Sequence, residues 1–157
     1  MKNLIYFFFL AHQFICAVPA NSQDNDMQSL KTTYASWIKA WNDSDAAAVA
    51  EISWGNYGFG RDVPFLRKGT EDKAIYLENI RRYMDSMTKI SYQEHFTDYR
   101  IIDGAGFVDS YYAQTTQQLN GPLRSVYGRQ SLVFIKKNGN WRMVHYHRSA
   151  LPNEFIR

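Results

Sequence analysis

The sequence predicts an α+β fold in one domain, with helices first and an antiparallel sheet after them. Three observations carry that prediction. Up to about residue 87 the apolar residues recur at helical spacing, whereas from Ile90 onward they follow a period of two. Between the alternating runs stand Asp103-Gly104-Ala105-Gly106, Leu119-Asn120-Gly121-Pro122 and Asn138-Gly139, all turn chemistry, the last a strong hairpin signal. A length of 157 residues with 45% hydrophobic and 16% aromatic content supports a single well-packed core.

The first twenty residues stand apart from that core. Lys2 gives a positive start, Leu4 to Ile15 form an apolar run broken by His12 and Gln13, and Ala17-Val18-Pro19-Ala20 ends it with small residues. This is the anatomy of a secretory signal peptide, with cleavage expected after Ala20. The run is shorter than the ~20 residues a membrane-spanning helix needs. Ile15 is also a poor neighbour for Cys16 as a lipoprotein cleavage site. The mature chain is therefore expected to be secreted or periplasmic and free of the membrane.

Residues 21–26 read as a polar, flexible linker, and the domain as 27–157. The first helix is expected over Met27–Trp41, where Leu30, Tyr34, Trp37, Ile38 and Trp41 make one apolar stripe. Asn42-Asp43-Ser44 breaks it. Asp45 can then cap a short Ala-rich helix ending near Ile52. Trp54 to Gly60 alternates aromatics with glycines, as a short strand or an irregular loop does, and no helical pattern follows to make a phosphate-cradling loop. Arg61 to Lys68, with Pro64, reads as loop. Thr70 is the expected N-cap of a third helix, with Glu71 and Asp72 at its positive end and a buried stripe of Leu77, Ile80, Met84 and Met87. Four strands are expected, over about 90–103, 106–118, 124–137 and 140–149.

Cys16 is the only cysteine. Its loss with the leader removes disulfides, a thiol nucleophile and a thiolate metal site from the mature chain. Loss of Lys2 takes one from 18 basic side chains against 15 acidic ones, and the basic residues are scattered. That pattern gives nucleic acid and anionic membranes little to bind.

Three stretches carry a resemblance. They are Ala40-Trp41-Asn42-Asp43-Ser44-Asp45; the set Gly69, Tyr76, Glu78 and Asn79; and the ending Asn138-Gly139-x-Trp141-x-x-Val144-His145-Tyr146-His147-x-Ser149. Over residues 27–152 the chain resembles the nuclear transport factor 2-like superfamily. Within it the chain resembles the SnoaL-like proteins and, most closely, the association (hub) domain of calcium/calmodulin-dependent protein kinase II. The resemblance implies a cone, in which a curved sheet wraps a long helix and encloses a pocket. It also implies a choice among small isomerases, cyclases and dehydratases, binding domains, and oligomerising hubs, because fold does not select function. Where the hub pocket holds arginines, an ungapped alignment places Ala113 and Leu132; where it holds a histidine on the third helix stands Lys73. Lys73, Arg129 or Arg61 would have to supply a positive charge in another way.

Several residues are candidates for the site. His145 and His147, two apart on one strand, are expected to share a face with Trp141, Met143 and Ser149. They read as structural, as pocket-lining, or as half of a metal site for which Asp109 and His95 are the available further donors. Asp109, mid-strand beside Tyr111, reads as a general base in an apolar cavity, or as a residue facing solvent or pairing with Arg129. Arg129, on the face of Tyr127, Ser131 and Val133, reads as an anion anchor or as an exposed sheet residue. Trp54, Tyr57 and Phe59 rim a pocket or close the cone. Glu94-His95 resembles an acid–base pair, but neighbours on a strand face opposite ways. The expected pocket lining is Tyr57, Lys73, Tyr76, Tyr111, Arg129, His145 and His147; no metal or cofactor is expected.

Three functions follow. The first is an exported domain that binds an unidentified small molecule in the cone without catalysis, as a homodimer or higher oligomer. The second is a self-assembling or partner-docking hub, suggested by apolar residues on both faces of the long strands. The third is an isomerase, dehydratase or cyclase with Asp109 or a histidine as base and a tyrosine as oxyanion donor.

Overall fold

The computed structural model describes residues 20–53, 57–59, 67–68 and 72–151. Helix α1 runs over Ala20–Asn42, α2 over Ala46–Ser53 and α3 over Lys73–Asp85. The strands are β1 (Tyr57–Phe59), β2 (Arg67–Lys68), β3 (Met87–Ile102), β4 (Ala105–Gln118), β5 (Leu123–Lys137) and β6 (Asn140–Ala150). They form one sheet in the order β2-β1-β6-β5-β4-β3. The long strands pair antiparallel with their sequence neighbours, and β1 joins the edge of β6 in parallel.

The expected α+β architecture is the one found. Helix α1 lies in the hollow of the curved sheet. Leu30, Tyr34, Trp37 and Ile38 are buried there, against Tyr92, Val108, Tyr112, Leu132, Phe134, Trp141 and Met143. The end of α1 is pinned to β3 by Asn42. Its side-chain amide accepts from the Tyr92 backbone N–H at 2.5 Å and donates to the Tyr92 carbonyl at 3.0 Å, as a neighbouring strand would. Ser44, at φ 55°, then turns the chain. Asp45 caps α2 through Oδ1, which accepts from Ala48 N–H at 2.9 Å.

Four boundaries differ from expectation. Residues 21–26, expected as a linker, are the first turns of α1, and Asp26 there accepts from Trp141 Nε1 at 3.2 Å through its carbonyl. The third helix is capped by Asp72, which accepts from Ala74 and Ile75 N–H, rather than by Thr70, which lies outside the described residues. Met87, expected in the helix stripe, follows the C-cap Ser86 and opens β3. Arg67–Lys68, expected as loop, pair with β1. Asp103-Gly104 and Asn138-Gly139 turn with positive φ at both residues, the geometry that matches strand twist in two-residue hairpins.

Two irregularities decide which side chains face inward. In β6 the pairing passes from Phe134↔Met143 to Val133↔His145, so Val144 is an extra residue and the alternation of faces reverses there. In β3 the pairing jumps from His95↔Tyr111 to Asp98↔Asp109, which leaves Phe96 and Thr97 as a bulge. Gly128 of β5 lies beneath the Tyr112 ring. A Cβ there would sit 2.6 Å from the Ser149 carbonyl oxygen and 2.6 Å from the ring. Gly128→Ala is therefore expected to lower stability by about 1–3 kcal/mol, the usual scale for overpacking, read as a fall in Tm; an unchanged Tm would contradict this packing.

Candidate functional site

The inner face of the sheet carries a connected polar cluster around an arginine. Beyond the Val144 bulge, Tyr146 lies opposite Leu132 and Arg148 opposite Gln130. Arg148 thereby enters the hollow. Its guanidinium lies 4.4 Å from the Tyr112 ring centroid and 5.1 Å from that of Tyr92. Those two rings stack with centroids 5.4 Å apart and an interplanar angle of 15°. Arg148 Nη2 donates to the Tyr92 hydroxyl and to Gln114 Oε1, both at 3.1 Å. The Tyr92 hydroxyl donates to Gln130 Oε1 at 2.5 Å. Gln130 Nε2 donates to the Tyr34 hydroxyl at 2.6 Å and to Ser110 Oγ at 2.9 Å, and those two oxygens lie 3.0 Å apart. Strands β3 to β6 and helix α1 all contribute.

Two features of this cluster bear on chemistry. Among the described residues, no carboxylate forms an ion pair with Arg148, although it is half-buried. Among the described residues, the buried side-chain polar atoms left without a partner are Arg148 Nε, Trp37 Nε1 and Trp41 Nε1, and all three are donors. Burial pushes the Tyr34 and Tyr92 hydroxyls well above the ordinary tyrosine range, with the Arg148 charge partly opposing the effect at Tyr92. Tyr99 is pushed up to about 12, by burial first and then by the Glu94 carboxylate.

The outer face carries most of the residues the sequence singles out. The Val144 bulge sets His145 and His147 opposite Val133 and Ser131, on the face away from Trp141 and Met143. Asp109 is also outside. It pairs with Arg100 rather than Arg129, and accepts from Ser131 Oγ at 2.5 Å. Arg129 donates through Nε to Ser149 Oγ at 3.1 Å. Tyr111, Arg129 and His147, with Phe96, Asp98, Asp109, Ser131 and Ser149, line an open groove of about 320 Å³ on this face. Lys73 pairs with Glu51 at the surface, and the Tyr76 hydroxyl lies 3.1 Å from Ser53 Oγ. Tyr57 pairs with His145 through the backbone. The structure therefore gathers Tyr111, Arg129 and His147 into one groove, outside the cone, and leaves Lys73 and Tyr76 apart from it. No cluster of three metal-ligating side chains occurs among the described residues. Trp54, Arg61 and the leader residues 1–19 lie outside the described residues.

Arg148, Gln130 and Gln114 belong to the candidate site and are absent from the residues the sequence singles out. Counting alternate residues from Trp141 sends Arg148 outward; only the bulge reverses it. The signal within reach was Gln130, a polar side chain alternating with Leu132 and Phe134 on the buried side of β5.

A family model described as a SnoaL-like domain matches residues 30–154. Among proteins of curated function, none matches the sequence. In three dimensions the chain is similar to a Streptomyces avermitilis protein described as a dehydratase of the nuclear transport factor 2-like family. The TM-score is 0.69 at 13% identity, covering 82% of this chain and 99% of that one. It is similar also to a Novosphingobium aromaticivorans protein described as a scytalone dehydratase, with TM-score 0.70, 10% identity and coverage of 84% and 88%. The association domain of the C. elegans calcium/calmodulin-dependent protein kinase II gives TM-score 0.63 at 22% identity, covering 82% and 98%. These likenesses show a shared fold.

The raised hydroxyls fix the sign of an alkaline effect. An unfolded tyrosine loses its proton near 10.0, while folded Tyr99 keeps its own to about 12. Between those values the unfolded chain binds fewer protons, so stability is complete below pH 10 and falls as pH rises toward 12. Denaturant midpoints across that range, read beside tyrosinate absorbance, are expected to fall together; a flat midpoint would contradict the buried hydroxyls.

Proposed function

Because the chain belongs to the SnoaL-like domain family, we propose that it is a small-molecule-binding domain whose ligand carries an anionic group, received by Arg148 inside the cone. One observation carries the reading: a half-buried guanidinium with no carboxylate paired to it and a buried Nε donor without a partner. A charge withdrawn from water without a counter-charge is costly, and structures keep such groups where another molecule completes them. The stacked Tyr92 and Tyr112 rings fix the guanidinium plane, and Gln114 holds its Nη2 end. Nε is the donor of the guanidinium left without a partner, and the planar donor fork suits a carboxylate.

Of the bases the sequence offers, Asp109, His145 and His147 stand on the outer face, while Glu94 lies opposite Tyr112 on the inner face, beside the Tyr34 and Tyr99 hydroxyls. The role proposed is binding. We also infer export, from the leader anatomy of residues 1–20, which would deliver the mature domain to the periplasm or the medium. Among the described residues no helix is long and apolar enough to cross a membrane.

The reading is tested by thermal shift and calorimetry with small aryl and alkyl carboxylates, benzoate first. Wild type and Arg129→Met are expected to be stabilised alike. Arg148→Met is expected to bind about 10- to 100-fold more weakly, since a charge-assisted hydrogen bond contributes about 1.5–3 kcal/mol. Loss of the shift in Arg129→Met with retention in Arg148→Met would overturn the assignment. For export, N-terminal sequencing of the mature protein is expected to begin at Asn21, and a mature protein beginning at Met1 would contradict it.

A further inference from the structure

The inner face carries a second charge, of opposite sign to Arg148. Glu94 of β3 lies opposite Tyr112, the residue whose ring receives the Arg148 guanidinium. Its carboxylate stands close enough to the Tyr34 and Tyr99 hydroxyls to add to what burial does in holding their protons. The β3 bulge follows directly, with Phe96 at φ 51°. It brings Thr97 back toward Glu94, so that Thr97 Oγ1 donates to Glu94 Oε2 at 3.4 Å.

Like Arg148, Glu94 is half-buried and forms no ion pair among the described residues. A cation does stand nearby. Lys31 Nζ lies 5.5 Å from the Tyr99 ring centroid, held by the ring rather than by the carboxylate. Opposite charges withdrawn from water are ordinarily paired. Here a row of side chains keeps them apart. Arg148 donates to the Tyr92 hydroxyl at 3.1 Å, Tyr92 to Gln130 at 2.5 Å, and Gln130 to the Tyr34 hydroxyl at 2.6 Å. Glu94 stands beside that last hydroxyl. The donors all point one way, from the cation toward the anion, and each bond polarises the next. Bonds of these lengths keep the Tyr34 hydroxyl within about 10 Å of the guanidinium.

We infer that the ligand at Arg148 carries a positive group as well as a negative one, with its carboxylate on Arg148 and its ammonium on Glu94. The inference rests on the proposed anion anchor and narrows its ligand to zwitterions of the ω-amino acid kind. Glu94 keeps room for such a group, because a carboxylate accepts several donors and the Thr97 bond is a long one. A zwitterion supplies each half-buried charge with its partner at once, whereas a plain carboxylate leaves Glu94 unmatched.

Calorimetry on the mature protein with a matched pair, 4-methylbenzoate and 4-(aminomethyl)benzoate, tests it. The two differ by one ammonium group. Wild type is expected to bind the amino acid about tenfold or more tightly than the plain acid, the gain of one charge-assisted hydrogen bond. Glu94→Gln is expected to bind both alike, and the plain acid as tightly as wild type does. Near-ultraviolet circular dichroism checks the fold of that variant, and the wild-type comparison decides without it. Arg148→Met is expected to weaken both ligands. Equal binding of the two by wild type, with both lost in Arg148→Met, overturns the zwitterion and leaves the anion anchor standing. A preference for the amino acid that survives Glu94→Gln overturns the part given to Glu94. If wild type binds neither, the anion anchor falls and the zwitterion with it.

Discussion

A single inserted residue in β6 governs what this molecule presents to its interior. Val144 has no partner on β5, and beyond it every side chain of the strand faces the opposite way from a regular continuation. Trp141 and Met143 therefore pack into the core, His145 and His147 point outward, and Tyr146 and Arg148 turn in. Without that extra residue the last turn of the cone would be lined by imidazoles, and the guanidinium would lie in solvent. What each face carries follows from this local choice: the Arg148 cluster inside and the outer groove beside His147.

Arg148 is held, but only in part satisfied. Two stacked tyrosines beneath the guanidinium contribute about 0.5–2 kcal/mol as a cation–π contact, depending on how dry the site is. Two hydrogen bonds through Nη2 add to that. Partial desolvation of an unmatched charge opposes both, on a scale of several kcal/mol for full burial. That balance is the ground on which an anionic partner for Arg148 is proposed. The network beneath it, from Tyr92 through Gln130 to Tyr34 and Ser110, is otherwise satisfied and ties α1 to three strands. That rigidity sets the Arg148 fork in one orientation before any ligand arrives.

Much of the architecture was legible in the residues. Period-two alternation from Ile90, the Asn138-Gly139 hairpin, the Asp45 cap and the apolar stripe of α1 each follow from local chemistry, and each is where the pattern put it. The start of α1 was misread because residues 21–26 are polar, and nothing local shows that Asp26 is tied to Trp141 and Lys136 across the sheet. The site was largely illegible for one physical reason. A bulge has no strong sequence signal, and a slip of one residue exchanges the faces, so regular alternation from Trp141 puts His145 and His147 on its face and Arg148 on the other. Asp109 was read without its partner because Arg100 reaches it across the β3–β4 pair. The joint burial of Gln130 and Ser110 is likewise a tertiary fact.

A crystal structure of the mature protein with 4-iodobenzoate, using the anomalous signal of iodine to place the ring, puts the central claim to the most direct trial. The account predicts iodine density inside the cone, the carboxylate on the Nε edge of Arg148, and an unpaired Val144 between Met143 and His145. Iodine in the outer groove, or a β6 without the bulge and with Arg148 in solvent, would contradict it.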